Sequence, residues 1–167
     1  MNTISNTTVI SNLASIGQLD LLRALYGTVY ISVQVYDEIQ QGLEEGYSFY
    51  VGMEPLIHPF SPDGWIRLIS MSDKDELPFF GELPRGLHSG EASCLAIARY
   101  RSWTLLTDDQ AARNKALELG IRVSGTIGCL ILAVARKHCT AAQANDYLRD
   151  MVRQGYRSPV LDLAALL

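Results

Sequence analysis

Short runs of β-branched and aliphatic residues alternate with helical patterns along most of the chain, and this alternation constrains the fold more than any other feature. Strand-like segments occur at residues 3–8, 29–31, 65–69, 103–106 and 121–123. Apolar residues spaced three and four apart predict helices over residues 9–25, 33–43, 92–100, 110–119, 127–138 and 140–154. Strands joined by helices form right-handed βαβ units, so the sequence predicts an α/β/α sandwich with a mostly parallel central sheet.

The length of 167 residues indicates a single domain over residues 1–167, with C-terminal helices over about 140–167. A last helix is expected with Ser158 as its N-cap, Pro159 at its first position and residues 160–167 behind them. This terminal run is apolar on several sides, which is explained either by packing on the chain's own core or by formation of a homodimer. Residues 72–86 are polar and contain proline, so they are expected to form a surface loop.

Composition limits the classes of partner and the compartment. The net charge of −4 argues against a protein that holds nucleic acid by bulk electrostatics, so any such contact must be local or metal-assisted. The three cysteines, Cys94, Cys129 and Cys139, lack a CxxC spacing and are expected to be small core residues in a reducing compartment. No secretory leader pattern and no apolar stretch of about 18 residues is present, so a cytoplasmic location and no membrane contact are expected.

Acidic or amide side chains follow several of the predicted strands. Asn6 follows the first strand, Glu38 lies in the helix after the second, Glu91 begins a later helix, and Asp108 and Asp109 follow the strand at 103–106. The carboxyl ends of parallel strands share one edge of a sheet, so these groups could converge there. Clustered carboxylates repel one another unless a divalent cation neutralises them, and their oxygens favour Mg²⁺ or Mn²⁺. The pattern favours a metal-dependent hydrolase or nuclease.

Each of these acids also has a structural explanation. Acids in the first turn of a helix stabilise it, Asp108 can act as an N-cap, and Asp109 with Arg113 forms an ordinary i,i+4 pair. Arg113 could instead contact phosphate. Two adjacent acids at the end of a strand exceed what capping needs, but their spacing leaves both explanations open.

Other chemistries lack their residues. His58, His88 and His138 have no metal-ligand spacing, which makes a catalytic zinc site improbable, although His88 lies close to Glu91 in sequence. No glycine-rich phosphate loop and no Gly-x-Ser-x-Gly motif is present, which argues against a P-loop enzyme and a serine hydrolase.

Four short motifs occur in an order that resembles the PIN-domain family. They are Ser5-Asn6-Thr7-Thr8, Val35-Tyr36-Asp37-Glu38-Ile39, His88-Ser89-Gly90-Glu91-Ala92, and Leu105-Leu106-Thr107-Asp108-Asp109 followed by Ala111-Ala112-Arg113. More narrowly, the chain is similar to the toxin-type, VapC-like subfamily encoded in prokaryotic toxin–antitoxin pairs. The resemblance covers nearly the whole chain, including Gly125-Thr126-Ile127-Gly128 and the C-terminal helices. It implies an α/β/α nuclease fold, divalent-metal-dependent cleavage of RNA, and a cognate antitoxin as partner.

The family's acidic positions match Asn6, Glu38, Glu91, and either Asp108 or Asp109. The resemblance therefore implies that Mg²⁺ or Mn²⁺ is held by Glu38, Glu91 and Asp108, with Asp109 as an alternative or second ligand. These four acids would be the catalytic residues, and water activated at the metal would attack the phosphate in line. Thr107 could orient a water molecule or a carboxylate.

Asn6 departs from the family, which usually has aspartate at this position. An asparagine offers a carbonyl oxygen as a metal ligand but brings no charge, so a reduced metal affinity is expected. An alternative hypothesis is that the chain is a catalytically weak or inactive PIN-like protein that acts as a protein-binding module. A third reading, an aspartyl-phosphate receiver, requires an acid pair after the first strand, where the sequence has only Asn6.

Overall fold

The computed structural model describes residues 1–167 and confirms the predicted parallel α/β architecture. Six strands pair in parallel in the order β3-β4-β2-β1-β5-β6. They are β1 (Thr3–Ser5), β2 (Val29–Ser32), β3 (Ile57–His58), β4 (Ile66–Ile69), β5 (Thr104–Leu106) and β6 (Val123–Ser124). The register places Ser5 beside Leu106 and Leu106 beside Ser124. Three strands therefore end level with one another at one edge of the sheet.

Eight α-helices surround the sheet. They are α1 (Thr7–Ser15), α2 (Asp20–Tyr26), α3 (Val33–Glu44), α4 (Glu76–Glu82), α5 (Ser89–Arg101), α6 (Gln110–Glu118), α7 (Thr126–Ala135) and α8 (Ala141–Arg153). Helix α7 packs against α1, α2 and α8, whereas α5 packs against α3, α4 and α6. Every residue of β1 is buried, as expected for a central parallel strand covered on both faces. None of the helices has the length and apolarity that crossing a membrane requires.

Helix α5 runs through the centre of the molecule. Nine consecutive residues, from Gly90 to Ala98, are buried, and the helix contacts β1, β2 and β5. A helix that is apolar on all sides is stable only when it is surrounded by other elements. Its first turn, which carries Glu91, is consequently fixed relative to the ends of these strands.

Two predicted segments differ near the N-terminus and in the middle of the chain. The single helix expected over 9–25 is wrong, because the chain breaks into α1 and α2 around Gly17, whose φ of +69° favours glycine. Residues 72–86 are not only a loop, since they contain α4. The buried carboxylate of Glu76 accepts hydrogen bonds from the backbone of Ser72 and Asp73 and pairs with Arg101, which fixes this segment.

The helix predicted at 160–167 is also wrong. This segment contains only a 3-10 turn at Ala164–Leu166, in addition to the 3-10 turns at Ser48–Tyr50 and Glu54–Leu56 earlier in the chain. Side chains take the backbone groups that a helix would use: Asn145 Oδ1 accepts from Leu163 N at 2.9 Å, and Asp162 Oδ1 accepts from Ala164 N at 2.7 Å. Leu163 is buried in the core, whereas Leu161 is 79% exposed. The terminal run therefore packs on its own core at one position, and the homodimer stays a prediction.

Candidate functional site

Asn6 lies where β1 ends and α1 begins, and both ends of its side-chain amide are hydrogen bonded. Its Oδ1 accepts from Thr8 N at 3.1 Å and from Thr8 Oγ1 at 2.8 Å, which makes Asn6 the N-cap of α1. Its Nδ2 donates to Thr107 Oγ1 at 2.6 Å. The residue is 1% exposed. Asn6 thus links the ends of β1 and β5 and is not free to bind an ion without losing these contacts.

Glu38 projects from α3 toward the first turn of α5. Its Oε1 accepts from Gly90 N at 3.1 Å, and its Oε2 accepts from the Thr7 hydroxyl. A Cβ atom added at Gly90 would lie 2.7 Å from the carboxyl carbon of Glu38. The absence of a side chain at Gly90 therefore allows this carboxylate to reach the backbone beside Glu91.

Glu91 lies in the first turn of α5, and its Oε2 accepts from His88 N at 2.9 Å. Burial raises the pKa of the Glu91 carboxyl above its ordinary value. The charge of Asp109 raises this pKa further, His88 lowers it, and Glu38 raises it again. The charges of Glu38 and Asp109 therefore both raise the pKa of Glu91, and we refer to these three carboxylates, which come from separate elements, as the acidic centre.

The adjacent residues Asp108 and Asp109 have different surroundings. Asp109, not Asp108, is the N-cap of α6: its Oδ2 accepts from Ala112 N at 2.8 Å. Asp108 Oδ1 accepts from Thr126 N at 2.8 Å, and its Oδ2 accepts from Thr126 Oγ1 at 2.5 Å and from Asn12 Nδ2 at 3.0 Å. The expected capping role of Asp108 is wrong, because this carboxylate holds the start of α7 instead.

Asp108 and the two glutamates line different grooves. Glu38 and Glu91 line an open groove together with Thr7, Thr8, Gln41, His88 and Ser89. Asp108 lines another groove, formed with the start of α7 and residues 156–159. The structure therefore does not place Asp108 in the groove that Glu38 and Glu91 line, as the expected convergence around one ion would require. Asp109 is the aspartate whose charge raises the pKa of Glu91.

The acidic centre fits a divalent cation in its chemistry but is not assembled as a complete set of ligands. Glu38, Glu91 and Asp109 supply carboxylate oxygens, and none of them forms an ion pair within 4.0 Å. No group of three or more His, Cys, Asp or Glu side chains in the chain is arranged to hold a metal ion. Binding an ion here would therefore require side-chain rearrangement.

Sequence reasoning identified Thr107 as a residue that could orient a carboxylate but missed the roles of Thr7 and Thr8. The Thr7 hydroxyl donates to Glu38. The Thr8 hydroxyl donates to Asn6 Oδ1 and accepts from the backbone N–H of Asp108 at 3.0 Å. The Thr107 hydroxyl accepts from the backbone N–H of Asp109 at 3.1 Å. The run Thr7-Thr8 beside Asn6 was the available signal. Arg113 forms no ion pair with Asp109 and instead donates from Nη1 to Thr107 O at 3.0 Å.

The fold and this site define an α/β protein with a parallel sheet and acidic side chains gathered at the carboxyl ends of its strands. The chain belongs to the PIN-domain family: a sequence model of the family DUF3368, described as a PIN domain, matches residues 2–165. In structure it is similar to a PilT N-terminus domain protein from the hyperthermophilic archaeon Sulfolobus solfataricus P2. The TM-score is 0.50 at 18% sequence identity, with 83% of this chain and 97% of the other chain covered, which supports the fold. No curated protein matches the chain in sequence.

Proposed function

We propose that the protein is a divalent-metal-dependent endoribonuclease whose catalytic centre is formed by Glu38, Glu91 and Asp109. PIN domains are generally nucleases, and the family match covers nearly the whole chain. One observation carries the assignment to these residues: Glu38 and Glu91 line the same groove, burial and then the charges of Asp109 and Glu38 raise the pKa of Glu91, and none of the three acids forms an ion pair. Such a cluster is stabilised by a bound cation.

Each of the three acids is held in place by hydrogen bonds. Thr7 and Gly90 fix Glu38, the His88 backbone fixes Glu91, and the capping bond to Ala112 fixes Asp109. Mg²⁺ or Mn²⁺ held by these carboxylates would activate water and offset the negative charge that develops on the phosphate.

Asn6 and Asp108 act as metal ligands only if their side chains leave their present hydrogen bonds. We assign Asp108 to the positioning of α7, because Thr126 at the start of that helix donates to both of its oxygens, and Asn6 to the capping of α1 and the link to Thr107. This assignment separates two adjacent aspartates and can be tested directly.

The test compares Asp109→Asn with Asp108→Asn in the cleavage of mixed-sequence RNA in the presence of Mn²⁺. Asp109→Asn keeps an N-cap but loses a charge, so cleavage is expected to fall at least tenfold with little change in Tm. Asp108→Asn places an NH₂ group among donors, so Tm is expected to fall while cleavage persists. Glu91→Ala is the inactive reference. Equal loss of cleavage in both aspartate variants would contradict the assignment of Asp109 alone.

We further propose that the protein is the toxin of a type II toxin–antitoxin pair and that it forms a homodimer. The acidic centre lacks a cation of its own, so an Arg or Lys from an antitoxin could occupy it in place of the metal. Co-expression with the product of the adjacent gene is expected to yield a stable complex, and light scattering will give the number of copies. A chain that is always isolated alone and is harmless on expression would count against this role.

A second candidate function is a protein-binding module without catalysis. It is favoured by the neutral Asn6, whose amide is fully used in hydrogen bonds, and by the lack of an assembled ligand group. This alternative predicts a partner complex that forms normally and a wild-type chain that cleaves no RNA at any Mn²⁺ concentration.

A further inference from the structure

A second groove lies beside the acidic centre, where β5 and β6 end. Its volume is about 530 Å³, and its lining includes Asp108, Arg113, Gly125, Tyr156 and Arg157. The charge of Asp109 raises the pKa of Glu91, and its neighbour Asp108 lines this groove. The two sites are therefore connected through one peptide bond at the end of β5.

Arg113 is held in this groove without a direct ion pair. Its Nη1 donates to the backbone oxygen of Thr107 at 3.0 Å, and the guanidinium has no carboxylate within 4.0 Å. A Cβ atom at Gly125 would lie 3.0 Å from this Nη1 and 2.5 Å from Asp108 Oδ1. Gly125 therefore provides the space in which the guanidinium and the carboxylate lie side by side.

The groove is locally positive in a chain of net charge −4. Arg157 is exposed and unpaired, and Asp108 is the single acid in the lining, so two arginines and one aspartate give a net formal charge of +1. The charge of Asp108 is already engaged by three hydrogen bonds. The first turn of α7 also lines the groove, and the carboxylate of Asp108 accepts from Thr126 N at its start.

We infer that this groove binds a backbone phosphate of the RNA strand next to the one at the acidic centre, with Arg113 and Arg157 as its contacts. The inference rests on the proposed function, which supplies the polynucleotide. An acidic chain gains affinity for RNA only through local contacts, and the planar guanidinium suits bidentate binding of phosphate oxygens. These contacts fix the register of the strand and carry no base specificity.

The test is binding of a fluorescein-labelled, 12-nucleotide single-stranded RNA of mixed sequence, measured by anisotropy in EDTA over a salt titration. Arg113→Ala and Arg157→Ala are each expected to weaken binding about tenfold, and the double variant about a hundredfold. Each loss is expected to reduce the slope of log K against log salt by about 0.7. Arg113→Lys should recover the slope but not the full affinity, because the charge returns without the planar fork.

Arg149→Ala and Arg153→Ala on the surface of α8 are the matched controls and are expected to bind RNA as the wild type does. Melting curves check that each variant is folded. The inference is overturned if the wild type does not bind this RNA, or if the double variant binds it as tightly as the controls. Failure of the proposed function gives a different result. The wild type would then bind the RNA through the two arginines but would not cleave it in the presence of Mn²⁺.

Discussion

Asn6 is an uncharged residue among acids, at the position where the structure has both a helix cap and a link between two strands. An aspartate would keep the capping bonds from Thr8, because both residue types accept there equally well. The Thr107 hydroxyl, which now accepts from Asn6 Nδ2, can rotate and donate to a carboxylate instead. The local geometry therefore accommodates Asn6→Asp, and the change is one of charge.

We predict that Asn6→Asp raises both the affinity for Mg²⁺ and the rate of RNA cleavage. A unit charge pair at about 4 Å is worth roughly 4 kcal/mol at an effective dielectric constant near 20. Desolvation and redistribution among the other acids reduce this to about 1–3 kcal/mol, which is about five- to 150-fold in affinity. Cleavage measured across a Mg²⁺ titration gives the size of the effect.

The same variant is expected to melt at a lower temperature in EDTA, because it adds a buried carboxylate to an acidic centre, and to recover in metal. Asn6→Ala is the control, since it loses the cap, at a cost of about 1 kcal/mol, without adding charge. If Asn6→Asp alters neither metal dependence nor cleavage, a charge at position 6 has no effect on the catalytic centre.

Glu91 gives a prediction about pH. Its pKa is raised in the folded chain, first by burial and then by Asp109, so ionisation of this carboxyl opposes folding. The stability that the protonated form contributes is present below the ordinary carboxyl pKa and is lost as pH rises through the raised value. Glu91→Gln keeps an oxygen for His88 N, so it is expected to raise Tm at pH 7 in EDTA and to have no such effect near pH 4.

The exposed Glu82, which forms no hydrogen bond or ion pair, provides the comparison. Glu82→Gln should leave Tm unchanged at both pH values. A pH-independent effect of Glu91→Gln would mean that packing, and not ionisation, explains the difference.

Among the elements, the segment with α4 depends on one ion pair. The Glu76 side chain is fully buried; burial raises its pKa, but the hydrogen bonds from Arg101 and from the Ser72 and Asp73 backbone lower it more. Removing Arg101 leaves a buried carboxylate without its cation, which typically costs about 3–5 kcal/mol. Arg101→Ala is therefore expected to lower Tm by roughly 6–20 °C in a domain of this size.

Loss of the pair in acid checks the sign of this effect. Because the pKa of Glu76 is lowered, its contribution is present at neutral pH and is lost as pH falls through the lowered value. The difference in Tm between Arg101→Ala and the wild type should therefore shrink in acid. A difference that is constant with pH would show that Arg101 acts through packing on Trp103 instead.

The contact between α3 and α5 gives a matched pair of glycine substitutions. Gly90→Ala would place a Cβ atom 2.7 Å from the carboxyl carbon of Glu38, so this carboxylate must move. Cleavage is expected to fall at least tenfold while the chain stays folded. Gly81→Ala in α4 meets no atom within 4 Å and should leave cleavage unchanged, with a gain in stability of up to about 1 kcal/mol. If the two variants cleave RNA equally well, the position of the Glu38 carboxylate is not important for catalysis.

At the level of elements, the sequence predicted the alternation of strands and helices and the position of Asn6 at the end of β1. These features depend on periodicity and on local capping, as at Thr140 before α8. The helix expected at 160–167 failed because its backbone groups are bound by Asn145, a residue of another element that no local pattern reveals.

The site divides in the same way. Motif order predicted which acids lie at the carboxyl ends of the strands, but neither spacing nor resemblance could choose between Asp108 and Asp109. Our proposal of Asp109 rests on Thr126 and Asn12, which bind Asp108 from distant parts of the chain. Likewise, the expected pair of Asp109 with Arg113 is replaced by a bond to the Thr107 backbone.

For the whole molecule, the parallel sheet brings carboxylates from distant parts of the chain together, and their mutual repulsion reduces stability in the absence of a cation. A ligand that binds only the folded state raises stability by about 2.7 kcal/mol at a hundred times its Kd. For a domain of this size this corresponds to a rise in Tm of about 5–11 °C. We therefore predict that Mn²⁺ raises Tm in a saturable way.

The control for this prediction is KCl at matched ionic strength, which screens repulsion but does not bind several carboxylates at once. Asp109→Asn and Glu91→Gln are expected to lose most of the shift in Tm. Asp108→Asn should keep it, because the carboxylate of Asp108 in the wild type binds the start of α7 and not the ion. If Mn²⁺ shifts the Tm of the wild type no more than KCl does, the acidic centre does not bind the ion. The protein-binding alternative, in which a partner's cationic side chain neutralises the same three acids, would then account for their arrangement.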